Sequence, residues 1–225
     1  MSQSNRRKMK PSLVVVLFVV IIAIFYFLFF MQKDENKATK VSLDEINYIT
    51  EMIESRKLKD IEFADSTQSR FNADERATFH GLNYFNPDPY YRLEVIFTVD
   101  TSTPNFKMPT NTDRTPNYRV YGFLDFKIHD TTYRLTAFQN MDFKDDAEYG
   151  GYLFVPYSDK TNGNESYGAG RYIDILIPGE KIFVLDFNES YNPYCAYSER
   201  WSCPLVPFEN YLETAIPAGE KKYKH

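Results

Sequence analysis

The chain has 225 residues, 17% of them aromatic, and carries 26 Lys and Arg against 31 Asp and Glu for a formal net charge of −5. That balance disfavours nucleic acid and anionic surfaces as partners. The charge is also unevenly placed: all four bases before residue 11 (Arg6, Arg7, Lys8 and Lys10) precede any acid, so the part after Met31 holds 22 bases against 31 acids, a formal −9.

Residues 1–11 read as a cytoplasmic basic tail. Residues 12–31 carry no charge, and sixteen of the twenty are Leu, Ile, Val or Phe. A helix of this length covers about 30 Å, the hydrocarbon thickness of a bilayer, and satisfies its own backbone. At about 0.3–0.6 kcal/mol for each such residue, insertion gains on the order of 5–10 kcal/mol. The basic flank places the amino terminus inside, so the sequence predicts a single-pass protein of the cytoplasmic membrane, its lipid contact made by residues 12–31 and its bulk extracytoplasmic. A cleavable signal fits less well, since Phe29, Phe30 and Met31 stand where small residues would be needed. The first cysteine is Cys195, which excludes an acylated lipoprotein.

Residues 32–41 form a polar spacer. Ser42-Leu43-Asp44-Glu45 then has the form of a capping box, and Leu43, Ile46, Ile49 and Ile53 recur at helical spacing, which predicts one short amphipathic helix to about Arg56. Beyond Phe71 the period changes to two. Tyr91–Val99, Tyr118–Ile128, Tyr133–Phe138, Tyr152–Val155, Tyr172–Ile177 and Ile182–Phe187 all read as strands. Ile177-Pro178-Gly179-Glu180 reads as a hairpin turn between the last two, and His129-Asp130-Thr131-Thr132 as another turn. No second helical period separates the strands, so residues 42–225 are expected to form one mainly β domain, an antiparallel sandwich or barrel.

Three prolines, Pro193, Pro204 and Pro207, and the rings of Tyr191, Tyr194, Tyr197, Trp201 and Phe208 crowd the stretch from Asn188 to Asn210. Rings at that density are expected to pack and order the loop. Cys195 and Cys203 lie within it. In an oxidising compartment a disulfide is the first expectation, closing a nine-residue loop for about 2.5 kcal/mol; free thiols are the alternative. Only His80, His129 and His225 could join them, so no zinc set or other metal site is expected, nor any cofactor.

The segment from Thr161 to Arg171 contains Gly163, Gly168 and Gly170. It could converge backbone amides and Arg171 on an anionic group. The plainer reading is a long hairpin loop whose glycines take positive φ and whose Arg171 pairs with an acid such as Asp174 or Asp186. Asp186, Asn188, Asn192, Glu209 and Asn210 flank the cysteine loop and with Arg171 make up the candidate ligand-binding set, of the kind a sugar-binding groove needs. The same Asp186 and Glu209 could act as acid and base of a glycan or ester hydrolase. No nucleophile elbow, zinc-protease motif or phosphate loop occurs, so no motif decides for or against an enzyme.

From about Phe71 to Lys221 the chain resembles the bacterial domain-of-unknown-function 1684 family. The matching residues include Phe79-His80-Gly81-Leu82-Asn83-Tyr84-Phe85 with Tyr91-Arg92, and Leu153-Phe154-Val155-Pro156 with Asp159, Thr161, Asn162 and Gly163. They continue through Tyr167-Gly168-Ala169-Gly170-Arg171, Leu185-Asp186-Phe187-Asn188 and Tyr191-Asn192-Pro193-Tyr194-Cys195-Ala196-Tyr197. Ser202-Cys203-Pro204, Glu209-Asn210 and Ala218-Gly219-Glu220-Lys221 close the series. Ser166, where Thr is usual, and Val206-Pro207, where paired prolines are common, depart from it. Longer members carry an additional amino-terminal half not seen in this sequence. The resemblance implies that the Gly-Arg stretch, Asp186-Phe187-Asn188 and the cysteine loop form one unit, and it implies no activity. The functional expectation is a membrane-anchored module binding an envelope glycan or protein, with the hydrolase and a purely structural domain as alternatives.

Overall fold

The computed structural model describes residues 22–27 and 42–223. Residues 22–27 are helical, but the rest of the 12–31 run and the spacer lie outside the described residues, so the expected anchor is not described there. Among the described residues no helix is long and apolar enough to cross a membrane. The chain divides into two compact units at Ile46 and Asn47.

The capping box forms as read. The Glu45 amide donates to Ser42 Oγ (3.1 Å) and the Ser42 amide to Glu45 Oε2 (2.8 Å). It opens α1, Leu43–Ala64, which runs eight residues beyond the expected end at Arg56 because no breaker intervenes before Asp65. The face it packs also differs from the expected one. Leu43, Ile46 and Ile53 are exposed, and the inward residues are Tyr48, Met52, Arg56, Lys59 and Phe63. Helical spacing is kept, but the surface that receives the helix is aromatic and charged, so it selects long polar side chains over Ile. Phe63 anchors the far end against Phe71 and Tyr197, with ring centroids 5.6 and 5.1 Å away. A second capping box, Asn72 with Glu75, starts the five-residue α2, Ala73–Ala77.

All six expected strands form: β1 Arg92–Val99, β3 Asn117–Ile128, β4 Thr131–Asn140, β5 Tyr152–Asp159, β6 Arg171–Leu176 and β7 Ile182–Asp186. Two short ones join them, β2 Phe106–Lys107 on β3 and β8 Tyr211–Leu212, parallel to β5. The six long strands make one curled antiparallel sheet, a half-barrel in the order β6-β5-β4-β3-β1-β7, rather than a two-sheet sandwich. The expected hairpin at Ile177-Pro178-Gly179-Glu180 is corrected by that order, for β6 and β7 stand at opposite ends of it. A link from Leu176 to Ile182 reaches at most about 20 Å. Both ends of the sheet must therefore curl towards one another, and Ile173 of β6 and Leu185 of β7 accordingly meet in one buried core with Val95, Leu124 and Leu153.

A bulge between Val120 and Gly122 divides β3 into two faces, because Val120 pairs with Phe138 and Gly122 with the adjacent Ala137. Leu124, Phe126 and Ile128 consequently face the concave core, whereas Tyr118 and Val120 turn to the other side, into a second cluster with Met108, Phe138 and Phe154. Glycine is required at 122, where a Cβ would lie 2.6 Å from the Thr98 carbonyl oxygen.

Candidate functional site

Two clefts of similar size flank the sheet, and their electrostatics separate them. The first, about 480 Å³, lies on the outer face of β5 and β6. Strand alternation builds it: Leu153, Val155 and Ile173 point into the core, which turns Tyr152, Phe154, Tyr172 and Asp174 outward. Phe154 stands cross-strand from Asp174, and its ring meets that of Tyr172 edge-on at 4.6 Å. Tyr118 enters from β3 by way of the bulge, Phe143 and Tyr149 from the β4–β5 loop, and Tyr191, Tyr194 and Cys203 from the proline-rich loop. The Tyr191 hydroxyl donates to Asp174 at 2.5 Å, and that of Tyr172 to the Pro204 carbonyl. Burial, and for Tyr191 also the neighbouring Asp174, holds both phenols well above the ordinary range, so they stay protonated.

The second cleft, about 470 Å³, lies between α1 and the end of β7. Several of its charges pair with one another, although Glu51 and Glu189 make no ion pair among the described residues. Asp186 accepts from the Tyr48 hydroxyl (2.8 Å) and stands 3.4 Å from Arg92, whose guanidinium covers the Tyr48 ring at 4.4 Å. Lys59 pairs with the buried Glu220 at 2.7 Å. Arg56, its pKa lowered by burial, donates to the carbonyls of Phe85 (2.7 Å) and Asn188 (3.2 Å).

The residues expected to bind ligand separate into several places. Arg171 is wholly buried at 0% exposure. It pairs with Asp159 at 2.6 Å, rather than with Asp174 or Asp186, and donates to the Ile216 carbonyl at 2.8 Å and to that of Ala218. Tyr157 flanks its guanidinium at 5.2 Å. Gly163 and Gly170 do take positive φ in the loop before it. Asn210, also buried, ties β4 to β5: its Oδ1 accepts from the Thr136 amide (2.8 Å) and its Nδ2 donates to the Thr136 and Pro156 carbonyls (2.9 and 2.6 Å). Asn192 receives the same kind of internal duty, its amide donating to Glu220 Oε2 (2.9 Å) and its Nδ2 to the Lys221 carbonyl (2.8 Å). Asp186 and Asn188 do meet, the Asn188 amide donating to Asp186 Oδ1 at 2.9 Å, in the second cleft. Glu209 is exposed and lines neither of these two clefts, so it does not join Asp186 in the second.

The expected disulfide is not formed in this structure. Cys195 and Cys203 are both free thiols, brought together so that the Cys195 amide donates to Cys203 Sγ at 3.2 Å. A hydrogen bond from Cys203 lowers the Cys195 thiol to about 7, while Cys203 is pushed up. Rings order part of the loop, Tyr197 being buried against Phe63 and Phe71, although Phe208 is left 91% exposed. Sequence reasoning missed Asp174 and Phe154 as cleft residues. The signal was present in the alternation of Tyr152 and Phe154 with Leu153 and Val155, and of Tyr172 and Asp174 with Ile173 and Ile175.

A family profile described as "Protein of unknown function (DUF1684)" matches residues 77–221, more than half of the chain. The chain belongs to the DUF1684 family. Both clefts draw lining residues from the DUF1684 region, and the aromatic one lies entirely within it. A solution NMR structure of an uncharacterised protein of Haloarcula marismortui is 38% identical, with a TM-score of 0.60 over 79% of this chain and 96% of that one. Among curated proteins no match was found.

Proposed function

We propose that this DUF1684 chain is a binding module tethered to a membrane. Residues 12–31 serve as the uncleaved anchor, the amino terminus stays inside, and the β domain presents its aromatic cleft to ligands of the cell envelope. The observation that carries the binding role is the cleft on β5 and β6: concave, walled by rings on rigid strands, and of a volume typical of small-molecule sites. The second cleft supports it less, because its Lys59, Arg92, Asp186 and Glu220 are already engaged with one another or with Tyr48. Support for the tether comes from the length and apolarity of the 12–31 run and its basic flank.

Screening a fragment library against the full-length protein by thermal shift, with Tyr152→Ala at the cleft mouth as the control, tests the reading. Hits whose protection disappears in the variant are expected. Hits indifferent to Tyr152, or none, would remove it. A membrane-impermeant maleimide applied to intact cells tests the orientation, labelling at Cys195 being the expected outcome.

A further inference from the structure

The aromatic cleft contains two carboxylates, Asp174 and Glu148, and no basic side chain. Asp174 is open to solvent through the mouth, yet protein surrounds it closely enough that desolvation raises its pKa; the Tyr191 hydrogen bond and the more distant Lys59 act the other way. Among the described residues no Lys, Arg or His nitrogen lies within ion-pair distance of it. Its one polar partner is the Tyr191 phenol. A carboxylate held among ring faces without a counter-ion favours whatever supplies positive charge and a greasy outline together. The rings of this region already attract cations elsewhere: Lys59 stands 5.0 Å from the Tyr191 centroid and Arg70 4.9 Å from that of Tyr194. A phosphate or carboxylate ligand would meet like charge, and a neutral one would draw no attraction from Asp174.

We propose that the cleft binds an organic ammonium, its nitrogen set against Asp174 and its alkyl groups against Phe154, Tyr172 and Tyr152. The inference rests on the reading of this cleft as a ligand site and names the class of ligand. Both a quaternary headgroup and the end of a lysine-like amine share that chemistry.

Full-length protein in detergent, titrated calorimetrically with choline, n-butylammonium and the uncharged choline isostere 3,3-dimethyl-1-butanol, provides the test. One or both ammonium compounds should bind about tenfold or more tightly than the alcohol. The better of the two identifies a quaternary or a primary source. Asp174→Asn should remove that preference, and Tyr152→Leu, at the exposed mouth where folding is least disturbed, should weaken the ammonium severalfold. If the alcohol binds as well as choline and Asp174→Asn changes nothing, the ammonium assignment falls while the cleft remains a ligand site. If none of the three binds, and fragment screening finds no other occupant, both readings fall.

Discussion

The Asp159 carboxylate and the Arg171 guanidinium meet at 2.6 Å with both side chains closed off from solvent. Asp159 Oδ1 is further held by the amides of Thr161 (2.7 Å) and Ile216 (3.2 Å), and Arg171 reaches the carbonyls of the same closing segment. The pair therefore ties the β5–β6 hairpin to the last stretch of the chain. Its role is to lock the end of the sheet that carries the aromatic cleft.

Removing one partner leaves the other charge buried alone. Asp159→Asn or Arg171→Met should each lose about 3–5 kcal/mol of folding stability by guanidinium unfolding, and replacing both together should lose less than the two losses added.

The Asn210 side chain makes three hydrogen bonds, two to the β4 backbone and one to that of β5. Asn210→Leu strands the Thr136 amide and two carbonyls, so a loss of about 2–3 kcal/mol is expected. Hydrogen exchange should locate it, with the Thr136 amide exchanging faster than its neighbours on β4.

Cys195 should behave as the reactive thiol of its pair. Donation from Cys203 stabilises the Cys195 thiolate, so the first proton leaves early and the second late. Iodoacetamide labelling of Cys195 should rise with pH around a midpoint of about 7, and Cys203→Ala should move that midpoint upward towards the ordinary value of 9.0. An unchanged midpoint would mean that the two thiols do not share a proton.

Gly219 and Gly151 make an internal contrast. At Gly219, φ is +74° and a Cβ would stand 2.5 Å from the Ser190 carbonyl oxygen, whereas at Gly151 nothing lies within 4 Å. Gly219→Ala is expected to destabilise by about 1–3 kcal/mol. Gly151→Ala should be neutral or stabilise by about 0.4–1 kcal/mol, and paired thermal melts would reveal the difference.

The strands were legible because alternation reports one buried face, and each of the six appears within a few residues of its reading. Their order was not legible, since period two says nothing about which strand lies beside which; the Ile177–Glu180 segment bends at Gly179 and links strands at opposite ends of the order. The α1 face was misread because periodicity weighs Ile above Tyr and Arg, and here Tyr48, Arg56 and Lys59 make the contacts. Arg171, Asn192 and Asn210 are buried and hydrogen-bonded within the fold, and a buried polar residue that completes a fold and one that waits for a ligand look alike in a sequence. Asp174 illustrates the converse: on its own it is an ordinary strand carboxylate, and only its register beside Phe154 gives it company.

Because β1 lies between β3 and β7, the earliest strand acquires its outer neighbour, Arg92 opposite Asp186, only after the five intervening strands have been made. Pairing across so long a separation is slow to form, so β1 stays bare along one margin until β7 arrives.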